Sequence, residues 1–156
     1  MKYHTHLVFG LMFGLIYILV FKVIIFIPFI VLVAIGSLLP DIDNSKSFFG
    51  NKIYPFSKAI EIFLGHRGIF HSAYLLILIS IPVYRINSTL GIAIFLGYFS
   101  HLIADGMTKK GVNFLNPFLE LRLSGFIVTG SFAEKIIFVI ICFIDVFLLL
   151  KLLAVN

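Results

Sequence analysis

Apolar residues run almost unbroken from Leu7 to Leu39, some 33 positions interrupted only by Lys22 and Pro28. A single crossing of a bilayer needs ~20. The pattern therefore predicts two antiparallel helices, Thr5 to Phe21 and Ile27 to Leu39, with a turn near Lys22; one long tilted helix is the alternative. Leu39-Pro40 closes the second helix, because the residue before a proline is pushed out of the helical region. From Asp41 to Leu64 the chain is polar and mixed, which predicts a surface loop ending in a short interfacial helix from Ser57 to Leu64. A third apolar run, His71 to Ile86, stops at Arg85 and the Asn87-Ser88-Thr89 cluster, and a fourth covers Leu90 to about Met107. Loop chemistry returns from Thr108 to Gly130. Ser131-Phe132-Ala133-Glu134 then reads as a capping box that opens a fifth run, Lys135 to Ala154.

Composition turns this pattern into a class. Of 156 residues, 61% are hydrophobic and only 12% charged, and the mean hydropathy is +1.14. Soluble domains are nearer half apolar and a quarter charged. The expectation is an all-α integral membrane bundle, a single domain over residues 1–156, with about five transmembrane or membrane-embedded helices. Lys2 before Leu7–Val20 imitates a signal peptide, but no small-residue cleavage site follows and the hydrophobicity resumes after Lys22, so the run is read as a retained span. The net charge of +5 reflects basic residues flanking spans, and no direct contact with nucleic acid is expected. Cys142 is a lone thiol within an apolar run and forms no internal disulfide.

Five alternating spans bring the chemistry together. The starts of spans one and three and the ends of spans two and four must share a membrane face. That face receives His4 and His6, Asp41 and Asp43, His66 and His71, and His101 and Asp105. It also receives Lys2, Lys46, Lys52, Lys58, Arg67, Lys109, Lys110, Arg122 and Lys135, against Lys22, Arg85 and Lys151 on the other side, which predicts that the motif face is cytoplasmic.

His101 and Asp105 stand at i and i+4 on one helix face, the spacing of two ligands or of a ligand and the group that orients it. His66 and His71, five apart, share no helical face, so Gly65 and Gly68 must let His66 sit in a loop while His71 begins a span. The metal-ligand candidates are His6, Asp41, Asp43, His66, His71, His101 and Asp105. His4 and His6 are not distinguished by the sequence beyond the fact that His6 abuts the apolar run. Asp41 and Asp43 do not form a calcium loop, since Lys46 and Lys52 occupy its glycine and glutamate positions. Mixed nitrogen and oxygen donors suit zinc, with manganese or iron as alternatives, and the set would hold one or two divalent ions. Arg67 offers a planar fork for a phosphate, and Arg67 and Asp43 are the catalytic candidates. Asp145, within the last span, would cost about 3 kcal/mol if left charged and alone, and is expected to hydrogen-bond a tyrosine such as Tyr17 or Tyr98.

Three stretches also carry a likeness: Leu39-Pro40-Asp41-Ile42-Asp43; Gly65-His66-Arg67-Gly68-Ile69-Phe70-His71-Ser72; and Gly97-Tyr98-Phe99-Ser100-His101-Leu102-Ile103-Ala104-Asp105-Gly106-Met107-Thr108. Together they resemble the YdjM-type family, described as LexA-binding, inner-membrane-associated metal-dependent hydrolases. The likeness runs from Thr5-His6 to the final span and implies a membrane-embedded metal hydrolase of unspecified substrate. The His-x-x-x-Asp element is more distantly similar to the zinc-dependent phospholipase C and P1 nuclease group. This chain has no tryptophan and one such element, so one or two ions are implied instead of three. The expected activity is hydrolysis of a phosphoester, in a phospholipid headgroup or another phosphodiester, at the cytoplasmic interface. The alternative is a regulatory membrane protein with a structural metal, and a metal transporter fares worse because the ligands gather at one surface.

Overall fold

The computed structural model describes residues 1–64 and 68–155. Its first helix, α1 (Tyr3–Phe21), ends where Lys22 takes a left-handed conformation (φ 50°) and its amide donates to the Ile18 carbonyl at 2.8 Å. The chain reverses into α2 (Phe26–Leu38), so the long apolar run is a hairpin broken at Lys22. Pro28 falls in the first turn of α2, where its missing amide breaks no helical hydrogen bond. A 3-10 turn over Leu39–Asp43, opened by Pro40, follows.

Two short helices, α3 (Phe48–Lys52) and α4 (Tyr54–Leu64), fill the polar stretch. Phe56, Ile62 and Phe63 of α4 are exposed while Ser57 is buried, the arrangement of a helix lying along a membrane surface. The Ser57 hydroxyl donates to the Gly50 carbonyl at 2.8 Å, and Glu61 accepts from the Ser45 hydroxyl and amide. Those two hydrogen bonds hold the Glu61 carboxyl below the usual glutamate range. A 3-10 turn (Ile69–His71) leads into α5 (Ala73–Ile86), whose N-cap is Ser72. Asn87 caps α6 (Ser88–Gly106), accepting from the Leu90 amide at 3.1 Å. The Thr108–Gly130 loop contains a small antiparallel hairpin, β1 (Val112–Asn113) with β2 (Arg122–Leu123), and α7 (Phe132–Val155) follows.

Among the described residues, α1, α2 with its 3-10 extension, α6 and α7 are long and apolar enough to cross a membrane. The expected third span is shorter than the others. Its 14 residues reach about 21 Å, less than the ~30 Å hydrocarbon core. The five-span expectation thus becomes four helices of spanning length and one short apolar helix.

Helix α6 is the centre of the bundle and packs against α1, α2 and α5. Its closest partner is α2, because small residues meet at the crossing. A Cβ added to Gly97 would lie 2.1 Å from the Val33 carbonyl oxygen, and one added to Gly36 would lie 2.7 Å from the Ile94 carbonyl oxygen. Lipid offers no hydrophobic gain for pairing helices, so such backbone approach is what lets packing hold them together. Helix α7 instead runs parallel to α1. Glu134 meets Thr5 at one end, and Leu152 packs on the cluster containing Ile18 at the other. Its remaining surface, including Phe143, Phe147, Leu150 and Leu153, is exposed apolar area suited to lipid.

Two expectations need correction here. The capping box at Ser131 is half formed: the Glu134 amide donates to the Ser131 hydroxyl, but the carboxylate accepts from the amides of Gly130 (2.5 Å) and Lys2 (2.6 Å) and from the Thr5 hydroxyl (2.9 Å). The Ser131 amide is already engaged with the Val128 carbonyl, which frees Glu134 to tie α7 to the start of α1. Asp145 does not bond a tyrosine. Tyr98 donates to the Phe70 carbonyl at 2.6 Å, and neither Asp145 oxygen has a hydrogen-bond partner among the described residues.

The crossing of α2 and α6 generates a direct expectation. Gly97→Ala forces Val33 away and should lower stability in detergent by about 1–3 kcal/mol. At Gly106 the nearest atom is 3.7 Å from an added Cβ, and Gly106→Ala should change stability by no more than about 1 kcal/mol, with a stabilising sign. Thermal unfolding of both variants checks the contrast.

Candidate metal centre

The Gly36–Gly97 crossing sets His101 against the end of α2. Its Nδ1 lies 2.7 Å from the Ser37 carbonyl oxygen. A carbonyl only accepts, so Nδ1 carries the ring proton and Nε2 presents a lone pair. His71, at the end of its 3-10 turn, is fixed in the same sense: its Nδ1 lies 3.0 Å from Asp43 Oδ2. With that nitrogen donating to the carboxylate, the His71 Nε2 lone pair also faces inward. The two Nε2 atoms are 3.3 Å apart, and both rings are completely buried.

Two lone pairs at that distance repel unless a proton on one ring or a metal ion lies between or beside them. Asp105 supplies the negative charge such a cation would need, with Oδ2 3.6 Å from His71 Nε2 and 3.9 Å from His101 Nε2. Its other oxygen, Oδ1, contacts the Met1 ammonium and lies 3.5 Å from His6 Nε2. His6 stacks on His101, centroids 3.8 Å apart and planes within 12°. Both His6 ring nitrogens are buried, and neither has a hydrogen-bond partner among the described residues. An orphaned buried imidazole is costly unless it binds something, and a neutral one is an ordinary metal ligand.

Among the described residues, two overlapping sets of donor atoms each lie within 4.8 Å of one another: His71, His101 and Asp105, all buried, and His6, Asp41 and His101, in which Asp41 is half-buried. The residues therefore fit a divalent ion of the zinc, manganese or iron type, with two or three imidazole nitrogens and one or two carboxylates. Asp43 stands behind His71, where a carboxylate orients a ligand. His4 is outside both sets and packs its ring between Tyr3 and Phe138, whereas His6 belongs to one of them. His66 and Arg67 lie outside the described residues. The Ser37 carbonyl was beyond sequence reasoning, since a backbone acceptor has no residue signature.

A comparison with known proteins now has a geometry to attach to. The family model described as YdjM inner membrane protein matches residues 1–155. The chain belongs to that family. Among curated relatives, the YdjM inner membrane protein of Escherichia coli (strain K12) is 38% identical over 87 residues, 51% of this chain and 44% of the relative, as is that of Shigella flexneri. The uncharacterized protein YvsG of Bacillus subtilis (strain 168) is 35% identical over 107 residues, 67% of each chain. The match thus spans less than half of the Escherichia coli YdjM protein. No solved structure matches the chain. YdjM family membership and the four long apolar helices put the chain in the inner membrane.

Asp43→Asn keeps the shape of the side chain but removes the charge behind His71. Metal affinity should fall about 10–100-fold, measured by competition with a chromophoric chelator, while thermal unfolding of the metal-free protein changes little.

Proposed function

We propose that this YdjM-family chain is a membrane-bound, metal-dependent hydrolase of phosphoesters, with its metal centre at the cytoplasmic face. The observation that carries the reading is the convergence of His6, His71, His101, Asp41 and Asp105 from four separate segments, with two ring protons turned outward to Ser37 and Asp43. The excess of basic residues over the motif face supports the orientation.

His101 has one lone pair to give, because Nδ1 is committed to Ser37. It therefore serves a single ion, and the two overlapping sets are alternative ways of completing that ion's shell. A second ion would rest on His6 and Asp41 with further donors. A divalent ion held there supplies Lewis acidity toward water and a phosphoryl oxygen near neutral pH. The protein's own part is positional. Asp43 and Ser37 fix the imidazoles, the His6 ring packs flat on His101, and half-buried Asp41 links the closed centre to the surface. Arg67, assigned from sequence, would hold the phosphate through its guanidinium fork.

One observation favours a second reading, a regulatory protein with a structural ion: His71, His101 and Asp105 are as buried as the ligands of a closed site. Partial exposure of Asp41 supports the catalytic reading. The test is metal analysis of purified protein together with assays on phospholipids and a generic phosphodiester. Bound zinc, manganese or iron and turnover that disappears in both His101→Ala and Arg67→Ala are expected, the second variant keeping its metal. Absence of any tightly bound metal contradicts the proposal, and turnover unaffected by Arg67→Ala or absent from metal-replete protein favours the structural reading.

A further inference from the structure

Beside the buried centre lies an open cavity of about 400 Å3. Asp41 belongs both to its lining and to the His6–Asp41–His101 set, so cavity and metal centre share a wall. Three other lining residues are lysines brought in by three different segments: Lys2 before α1, Lys46 after the 3-10 turn, and Lys110 in the loop beyond α6. None of their ammonium groups has an ion-pair partner among the described residues, whereas Lys58 on the same side of the molecule pairs with Glu61. Three lysines thus share the lining with one carboxylate, Asp41, and with Met1, whose ammonium contacts Asp105; the Asp41 charge would be offset by any ion bound at the centre. Like charges gathered in one concavity repel one another and raise the local concentration of anions.

The rim of the cavity has a different chemistry. Tyr3 and Phe48 stack there, centroids 4.6 Å apart and planes within 15°, and both are exposed. Phe48 begins α3, which continues into α4 with its exposed Phe56, Ile62 and Phe63. An aromatic edge joined to an interfacial helix belongs at the level of lipid headgroups.

We infer that this cavity is a binding site for a phosphoryl group, held by Lys2, Lys46 and Lys110 and delivered to the edge of the metal centre at Asp41. The inference rests on the metal-centre reading for its purpose but not for its binding chemistry, which the lysines supply. The same phosphoryl chemistry is available from a lipid headgroup and from a soluble phosphate, and the rim of Tyr3 and Phe48 offers a surface for the acyl or glycerol part of a lipid.

The experiment uses the full chain in dodecyl maltoside, a detergent without phosphate. Inorganic phosphate and a short-chain phosphatidic acid are titrated by calorimetry into the wild type and into Lys46→Gln and Lys110→Gln, singly and together, with metal content measured on each sample. Each substitution is expected to weaken binding of both probes about tenfold, with unchanged metal content and thermal unfolding. Tighter binding of phosphatidic acid than of phosphate identifies a lipid source, and equal binding identifies a soluble one; both support the site. Wild type that binds neither probe overturns the inference, as does a double variant that binds both as tightly as wild type. Lysine-dependent phosphate binding by protein without metal would remove the metal centre and leave the cavity standing, whereas metal-replete protein that binds no phosphate would do the reverse.

Discussion

The hydrogen bond from His101 Nδ1 to the Ser37 carbonyl is the contact on which the site depends. It exists because α2 and α6 approach through Gly36 and Gly97 until backbone nearly touches backbone. Any larger residue at that crossing would lift α6 away from α2 and take the imidazole off its acceptor. The bond then settles which ring nitrogen is protonated and turns the other toward His71 and Asp105. Packing of two helices is in this way converted into a choice of tautomer.

The membrane explains why this chemistry sits at the end of the bundle. Buried polar atoms in hydrocarbon require partners within the protein, and most of those gathered here have them. Glu134 ties Lys2, Thr5 and Gly130 together, Asp43 holds His71, and Tyr98 donates to the Phe70 carbonyl. His6 breaks the rule among the described residues, with both ring nitrogens unsatisfied next to two other imidazoles and a carboxylate. Asp145 breaks it too, inside α7, but with no comparable donors beside it among the described residues.

Much of this was legible in the chain because spans impose parity. A helix that crosses delivers its ends to known sides, so four clusters far apart in sequence had to share a face, and of the six ligand candidates among the described residues five, His6, Asp41, His71, His101 and Asp105, bring donor atoms together while Asp43 backs His71. The Lys22 turn was readable because a charge amid 33 apolar positions marks where the chain leaves the bilayer. Other features left no periodic signal. The Ser37 acceptor is backbone, β1 and β2 are two residues each, and Glu134 chose Gly130 over Ser131 only because Val128 had taken the Ser131 amide. Asp43 reads as a ligand in sequence, since nothing in its spacing separates a carboxylate that binds an ion from one that orients a histidine.

The central claim is that His71 and His101 hold their protons on Nδ1 and turn Nε2 lone pairs toward a shared cation. Nitrogen-15 NMR of histidine-labelled protein in detergent tests it most directly, before and after zinc is added to the metal-free chain. Both rings should report an unprotonated Nε2 whose resonance shifts on zinc binding while Nδ1 stays protonated. Protons on Nε2 at either ring, or spectra that zinc leaves unchanged, would contradict the account.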